Sequence, residues 1–265
     1  MWNLISFNKF VVRFVLFTGV ILSFGIAEST EVIAALVKKR LSTDGTVLDL
    51  GGLKIGIAGA KKLAKIEALS NVQVLLLQGN KIQYKGMKAL AKSPFVKNIK
   101  HLDLWGNYLG DMGVKALVDS PNFNNLENLK LWKNEVGDDG LELLIDSPKF
   151  KNLKTLLLNN NFITERGVGY LVKVDFSSLE TLGLFRNAIG DNGALQLAAT
   201  DNLPKLKVLY VGENTVTDVG SVPLIKSFKF PDLELLDLSL NSLGKKTVKA
   251  VFKRNKKRPI QIIYR

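Results

Sequence analysis

Not one of the 265 residues is cysteine. That absence excludes a disulfide scaffold, a thiol nucleophile, a thiolate-held metal and a lipid anchor on sulfur. Histidine occurs once, at His101, two residues before Asp103. No nucleophile, metal-ligand cluster or second catalytic group stands at a defined spacing from it, so a polar contact residue is expected rather than an acid–base centre. The chain also lacks any Asn-x-Ser/Thr acceptor. This removes N-glycosylation and favours a bacterial exported protein over a eukaryotic secreted one.

What is present describes a folded chain, with 46% hydrophobic and 23% charged residues. The start differs from the rest. Lys9 and Arg13 precede the uncharged run Phe14 to Ala27, and Gly25 and Ala27 place small residues before a cleavage point at Glu28. That is the layout of a signal peptide over residues 1–27. An uncleaved anchor over residues 11–27 is the alternative, although the run is short of the roughly 20 residues a spanning helix needs.

Beyond it a period governs the chain. Asn80, Asn107, Asn134, Asn161, Asn187, Asn214 and Asn241 stand 26 or 27 residues apart, each at the end of a frame such as LENLKLWKN. One period before Asn80, VLDLGGLKI keeps the leucine spacing with Leu53 in place of the Asn, which makes eight repeats over residues 45–255. In each frame, alternate leucines point inward from a short strand. The Asn amide is expected to bond to loop backbone groups that would otherwise be buried and unpaired.

The second half of each repeat reads as a helix, because apolar residues recur 7, 10 and 11 positions after the Asn, as in Val114/Leu117/Val118 and Val248/Val251/Phe252. Asp111, Asp138, Asp191 and Asp218 stand at the helix starts, where carboxylates cap free N–H groups. Asp138, Asp139 and Glu142 are read in the same way, not as a cation site. Glycines 86, 113, 140, 167, 193 and 220 recur with the repeat and are assigned to a tight turn into each helix, so none is read as a phosphate loop. Ser-Pro at 93–94, 120–121 and 147–148 ends a helix and returns Phe95, Phe123 and Phe150 to the core.

The frame LxxLxLxxN, followed two residues later by an aliphatic, resembles the leucine-rich repeat family. A strand plus a full helix in about 27 residues resembles its ribonuclease-inhibitor-like class. The resemblance implies an α/β solenoid of right-handed βα units, with a curved parallel sheet on the concave side and helices on the convex side. It implies little about activity, since site chemistry is argued apart from fold. Solenoid ends need caps. Residues 28–44 hold an amphipathic helix, Glu31 to Leu41, and residues 256–265 end in a strand-like PIQIIYR.

Residues between the inward leucines must project from the open sheet face, so the frame reads as a surface map. One column runs Gly51, Gln78, Trp105, Trp132, Asn159, Phe185, Gly212, Ser239; another runs Asp49, Leu76, Asp103, Lys130, Leu157, Gly183, Tyr210, Asp237. Trp105 and Trp132 are thus expected side by side. Exposed aromatics ringed by charge are typical of protein-binding surfaces. The expected contact set is His101, Asp103, Trp105, Tyr108, Lys130, Trp132, Lys133, Leu157, Asn159, Phe185, Arg186 and Tyr210. A structural role for the Trp pair is the alternative.

Charge is concentrated at the other end. From Lys245 to Arg265 the chain has nine basic residues and no acidic one, whereas residues 28–244 hold 26 basic against 24 acidic. Lys253, Arg254, Lys256, Lys257 and Arg258 are therefore candidates for holding a polyanion or an anionic membrane surface, with solvated cap residues as the alternative. Nucleic acid is disfavoured, because no groove-reading element is visible. The expectation is an exported, monomeric, non-enzymatic module that binds a protein and needs no cofactor. A GTPase-activator-like regulator is implied only by family resemblance, and a carbohydrate-binding face is the other alternative.

Overall fold

The computed structural model describes residues 29–265, so the leader expected over residues 1–27 lies outside the described part. Helix α1 (Thr30–Arg40) opens it, N-capped by Ser29 and burying Ile33 and Val37. Strands and helices then alternate: β1 (Val47–Asp49), α2 (Gly56–Leu63), β2 (Val74–Leu76), α3 (Gln83–Ala91), β3 (His101–Asp103), α4 (Gly110–Val118), β4 (Asn128–Lys130), α5 (Asp138–Ile145) and β5 (Thr155–Leu157). They continue as α6 (Glu165–Leu171), β6 (Thr181–Gly183), α7 (Gly190–Ala199), β7 (Val208–Tyr210), α8 (Asp218–Lys226), β8 (Leu235–Asp237), α9 (Lys245–Lys257) and β9 (Gln261–Ile263).

All nine strands form one parallel sheet in chain order, β1 to β9. Its register follows the sequence period: Val47 pairs with Val74, Val74 with His101, His101 with Asn128 and Asn128 with Thr155. The central leucines Leu48, Leu75, Leu102, Leu129, Leu156, Leu182, Leu209 and Leu236 are all buried. Each strand is three residues long because its turn begins where the chain must bend back toward a helix. The helices cover one face of this parallel sheet, where the leucines lie, and leave the other open. Among the described residues, no helix is long and apolar enough to cross a membrane.

The Asn ladder holds the turns as the sequence predicts. Asn134 Nδ2 donates to Leu104 O of the preceding repeat at 2.9 Å, and its Oδ1 accepts from Asn107 N at 3.0 Å. Asn107 repeats the pattern on Leu77 O and Asn80 N. Each side chain therefore ties two neighbouring repeats together.

Two sequence expectations about the helix starts are corrected. The acidic residues lie inside the first helical turn and cap the following helix instead of their own. Asp138 Oδ1 accepts from Thr164 N at 2.8 Å, and Asp191 Oδ1 accepts from Thr217 N at 2.8 Å and Gly220 N at 2.9 Å. Glycines 86, 113, 140, 167, 193 and 220 also lie within helices, not in turns. A Cβ at Gly86 would sit 2.5 Å from Ile82 Cγ2, at the start of its own helix, and 3.0 Å from Ala60 Cβ of the helix before, so this position must stay small.

Two packing expectations also shift. Phe123 and Phe150 are buried, but Phe95 is only partly so, because Val96 takes the core place beside it. In the last repeat, Val248 and Phe252 are exposed and Thr247, Ala250 and Val251 turn inward. Thr247 Oγ1 donates to Asp218 Oδ1 and shares a buried 2.6 Å hydrogen bond with Ser221 Oγ. Thr247 thus takes the buried place that glycine holds in the earlier helices, and among the described residues no further helix follows α9 to cover Val248 and Phe252.

Candidate functional site

The open sheet face presents the columns in the predicted order, since Asp103 pairs with Lys130 and Lys130 with Leu157 in the ladder. Trp105 and Trp132 follow β3 and β4 by two residues each. They remain 43% and 40% exposed, with ring centroids 5.4 Å apart and planes tilted by 31°. Tyr108 is equally open, at 43%. His101 and Lys133 are exposed beside them.

Not every predicted contact residue is free. Asp103 Oδ1 accepts from Trp105 N at 3.1 Å, and its carboxylate meets Lys130 Nζ at 3.5 Å. Asp49 and Asp237 make the same turn bond to Gly51 N and Ser239 N, so this Asp first holds backbone. Asn159 Oδ1 accepts from Phe185 N at 3.0 Å. Phe185 is half-buried and lies over Gly212, where a Cβ would come within 2.6 Å of its ring. Leu157 and Tyr210 are half-buried as well, and Arg186 pairs with Glu213 at 3.3 Å. The most open part of the predicted set is therefore its β3–β4 end, around the two tryptophans.

Sequence reasoning missed the ground beside Trp105. Gly52, Gly79 and Gly106 adopt φ near +70°, where glycine is favoured, and leave the turn apex bare in three successive repeats. Together with Gln78, Lys81, Trp105, Tyr108 and Lys133 they line a cleft of about 280 Å³. The signal was visible as Gly52, Gly79 and Gly106 at one frame position, which the later repeats fill with Lys133, Asn160, Arg186, Glu213 and Leu240.

At the C-terminal end, Lys253, Lys256 and Lys257 are exposed and Arg258 is partly so. Arg254 is not a surface residue, contrary to the sequence expectation. It is 4% exposed, and its Nη1 donates to Ile225 O and Ser227 O at the end of α8. Phe228 stacks on its guanidinium at 4.4 Å. Burial, and after it the charge of Arg258, pull the Arg254 pKa below the usual value.

Known proteins match this arrangement at the level of the repeat. A family model described as Leucine Rich repeat matches residues 68–91, 97–118 and 177–198. No curated protein matches the chain. Among solved structures, internalin C2 from Listeria monocytogenes is similar, with a TM-score of 0.54 and 20% identity over 89% of this chain and 84% of that one. At that identity the likeness concerns the fold. The 27-residue period, the single-step parallel register and the matched repeats together make the chain a leucine-rich repeat protein.

Proposed function

We propose that the protein is a non-enzymatic binding module that holds a protein partner on the β3–β4 end of its open sheet face. The observation that carries this reading is the uncovered tryptophan pair, Trp105 and Trp132, on a rigid ladder of short strands. Large aromatic side chains left in water at the centre of a face supply anchors for association. A preformed sheet loses little conformational entropy when it binds. Lys130, Lys133, His101 and Tyr108 surround the pair and supply selectivity, while Phe185, Arg186, Asn159, Leu157 and Tyr210 form its less exposed continuation. A partly exposed pair such as Lys130–Asp103, 3.5 Å apart, adds only about 0–1 kcal/mol, so affinity rests on the aromatic anchors.

Photo-crosslinking tests the placement. A photoreactive residue at His101 or Lys133 is expected to trap a protein from cell extract, and one at Met112, on the helical layer, is not. Equal trapping from all three would remove the sheet face from the reading. Export is proposed on residues 14–27 alone, and a chain lacking residues 1–27 is expected to stay in the compartment where it is made.

A further inference from the structure

Arg254 has a buried charge with no counter-ion beside it. Its Nη1 donates to two backbone carbonyls, but its Nε is buried without a hydrogen-bond partner. No ion pair within 4 Å involves it among the described residues. A buried charge is normally paired, because leaving it alone is costly. As a cation at the end of α8 it also suits that helix's dipole. The dipole accounts for the two carbonyl contacts and leaves Nε unexplained.

Around Arg254 the surface is a cleft of about 250 Å³ lined by Lys226, Phe228, Ala250, Lys253, Arg254 and Lys257. Ala250, Lys253, Arg254 and Lys257 are spaced i, i+3, i+4, i+7, so one side of α9 presents them together. Lys226 comes from the last turn of α8, opposite them. Four cations thus converge on one cleft with no carboxylate in its lining. Like charges gathered in this way repel one another unless an anion joins them.

We propose that this cleft binds a phosphate group, free or as the terminal monoester of a larger ligand. A divalent tetrahedral oxyanion offers oxygens to several donors at once, which a single carboxylate cannot match around four cations. The aromatic wall, Phe228, which is 54% exposed, also suits a phosphate carried on an apolar ligand. The site is independent of the tryptophan face, so either reading stands or falls without the other.

The test uses the full chain and two charge-matched variants: Lys253→Glu/Lys257→Glu, inside the cleft, and Lys245→Glu/Lys249→Glu, on α9 outside it. Inorganic phosphate is titrated against chloride at equal ionic strength, with the thermal midpoint and ³¹P line width as readouts. The proteins are then pelleted with vesicles of phosphatidylcholine containing phosphatidic acid, or containing phosphatidylglycerol, whose diester bears one charge. Phosphate or phosphatidic acid should bind the parent and the outside variant alike, and the cleft variant at least tenfold more weakly. Binding to free phosphate would assign a soluble source, and binding only to phosphatidic acid a lipid one. Equal loss in both variants, no preference for phosphatidic acid over phosphatidylglycerol, or no effect of phosphate beyond chloride together with no binding to phosphatidic acid would overturn the proposal.

Discussion

Asn134 and Trp132 stand two residues apart and do opposite things. Asn134 is buried and bonds to backbone in two repeats, so Asn134→Ala leaves carbonyl and N–H groups unpaired and is expected to cost about 1–3 kcal/mol in urea unfolding. Trp132→Ala removes a side chain that is 40% exposed and lies against Trp105, and it should cost about 1 kcal/mol or less, roughly a cross-strand contact. The contrast was legible in the frame, because inward and outward positions alternate along a strand. What a side chain does once it projects was not legible. Asp103 and Asn159 stand in outward columns, yet both turn back to accept from backbone N–H groups. Phe185 lies down because the next strand offers Gly212 beneath it, a relation between two repeats that neither shows alone.

Between elements, the carboxylates of one helix start secure the next. Burial pushes Asp191 up, but bonds from Thr217 Oγ1, Thr217 N and Gly220 N outweigh it and hold its pKa below the ordinary value. Asp218 is likewise lowered, first by its bond from Thr247. A depressed folded pKa adds stability above the unfolded value, about 3.9 for Asp, and that stability is lost as pH falls through the folded value. Asp191→Asn and Asp218→Asn should therefore lower the urea midpoint at pH 7 and flatten the parent's decline below about pH 4. Helix packing makes a second expectation. Gly86→Val should destabilise by about 1–3 kcal/mol through overpacking, because even a Cβ there meets Ile82 and Ala60. Sequence spacing located these Asp and Gly positions but misassigned their partners, since the contacts run across a repeat boundary 26 to 29 residues away.

At the scale of the molecule, the period was enough to give eight strands in order, and PIQIIYR the ninth, because each repeat buries its leucines only against its neighbours. The last repeat lacks the neighbour that covers the others, so Val248 and Phe252 of α9 stay exposed. Arg254 stands where Ser93, Ser120, Ser147 and Thr200 are buried in earlier repeats, and it is buried too. Nearest-neighbour coupling also predicts a gradient of protection. Hydrogen exchange should be slowest in β4 and β5 and fastest in β9, whose Gln261 and Ile263 are exposed at the sheet edge. Binding through the tryptophan face is read out by affinity capture from extracts with the parent chain beside a Trp105→Ala/Trp132→Ala variant shown to melt within a few degrees of it. A protein should be retained by the parent, with its affinity for the variant reduced at least tenfold. Equal retention by both would remove the tryptophan face as the binding surface.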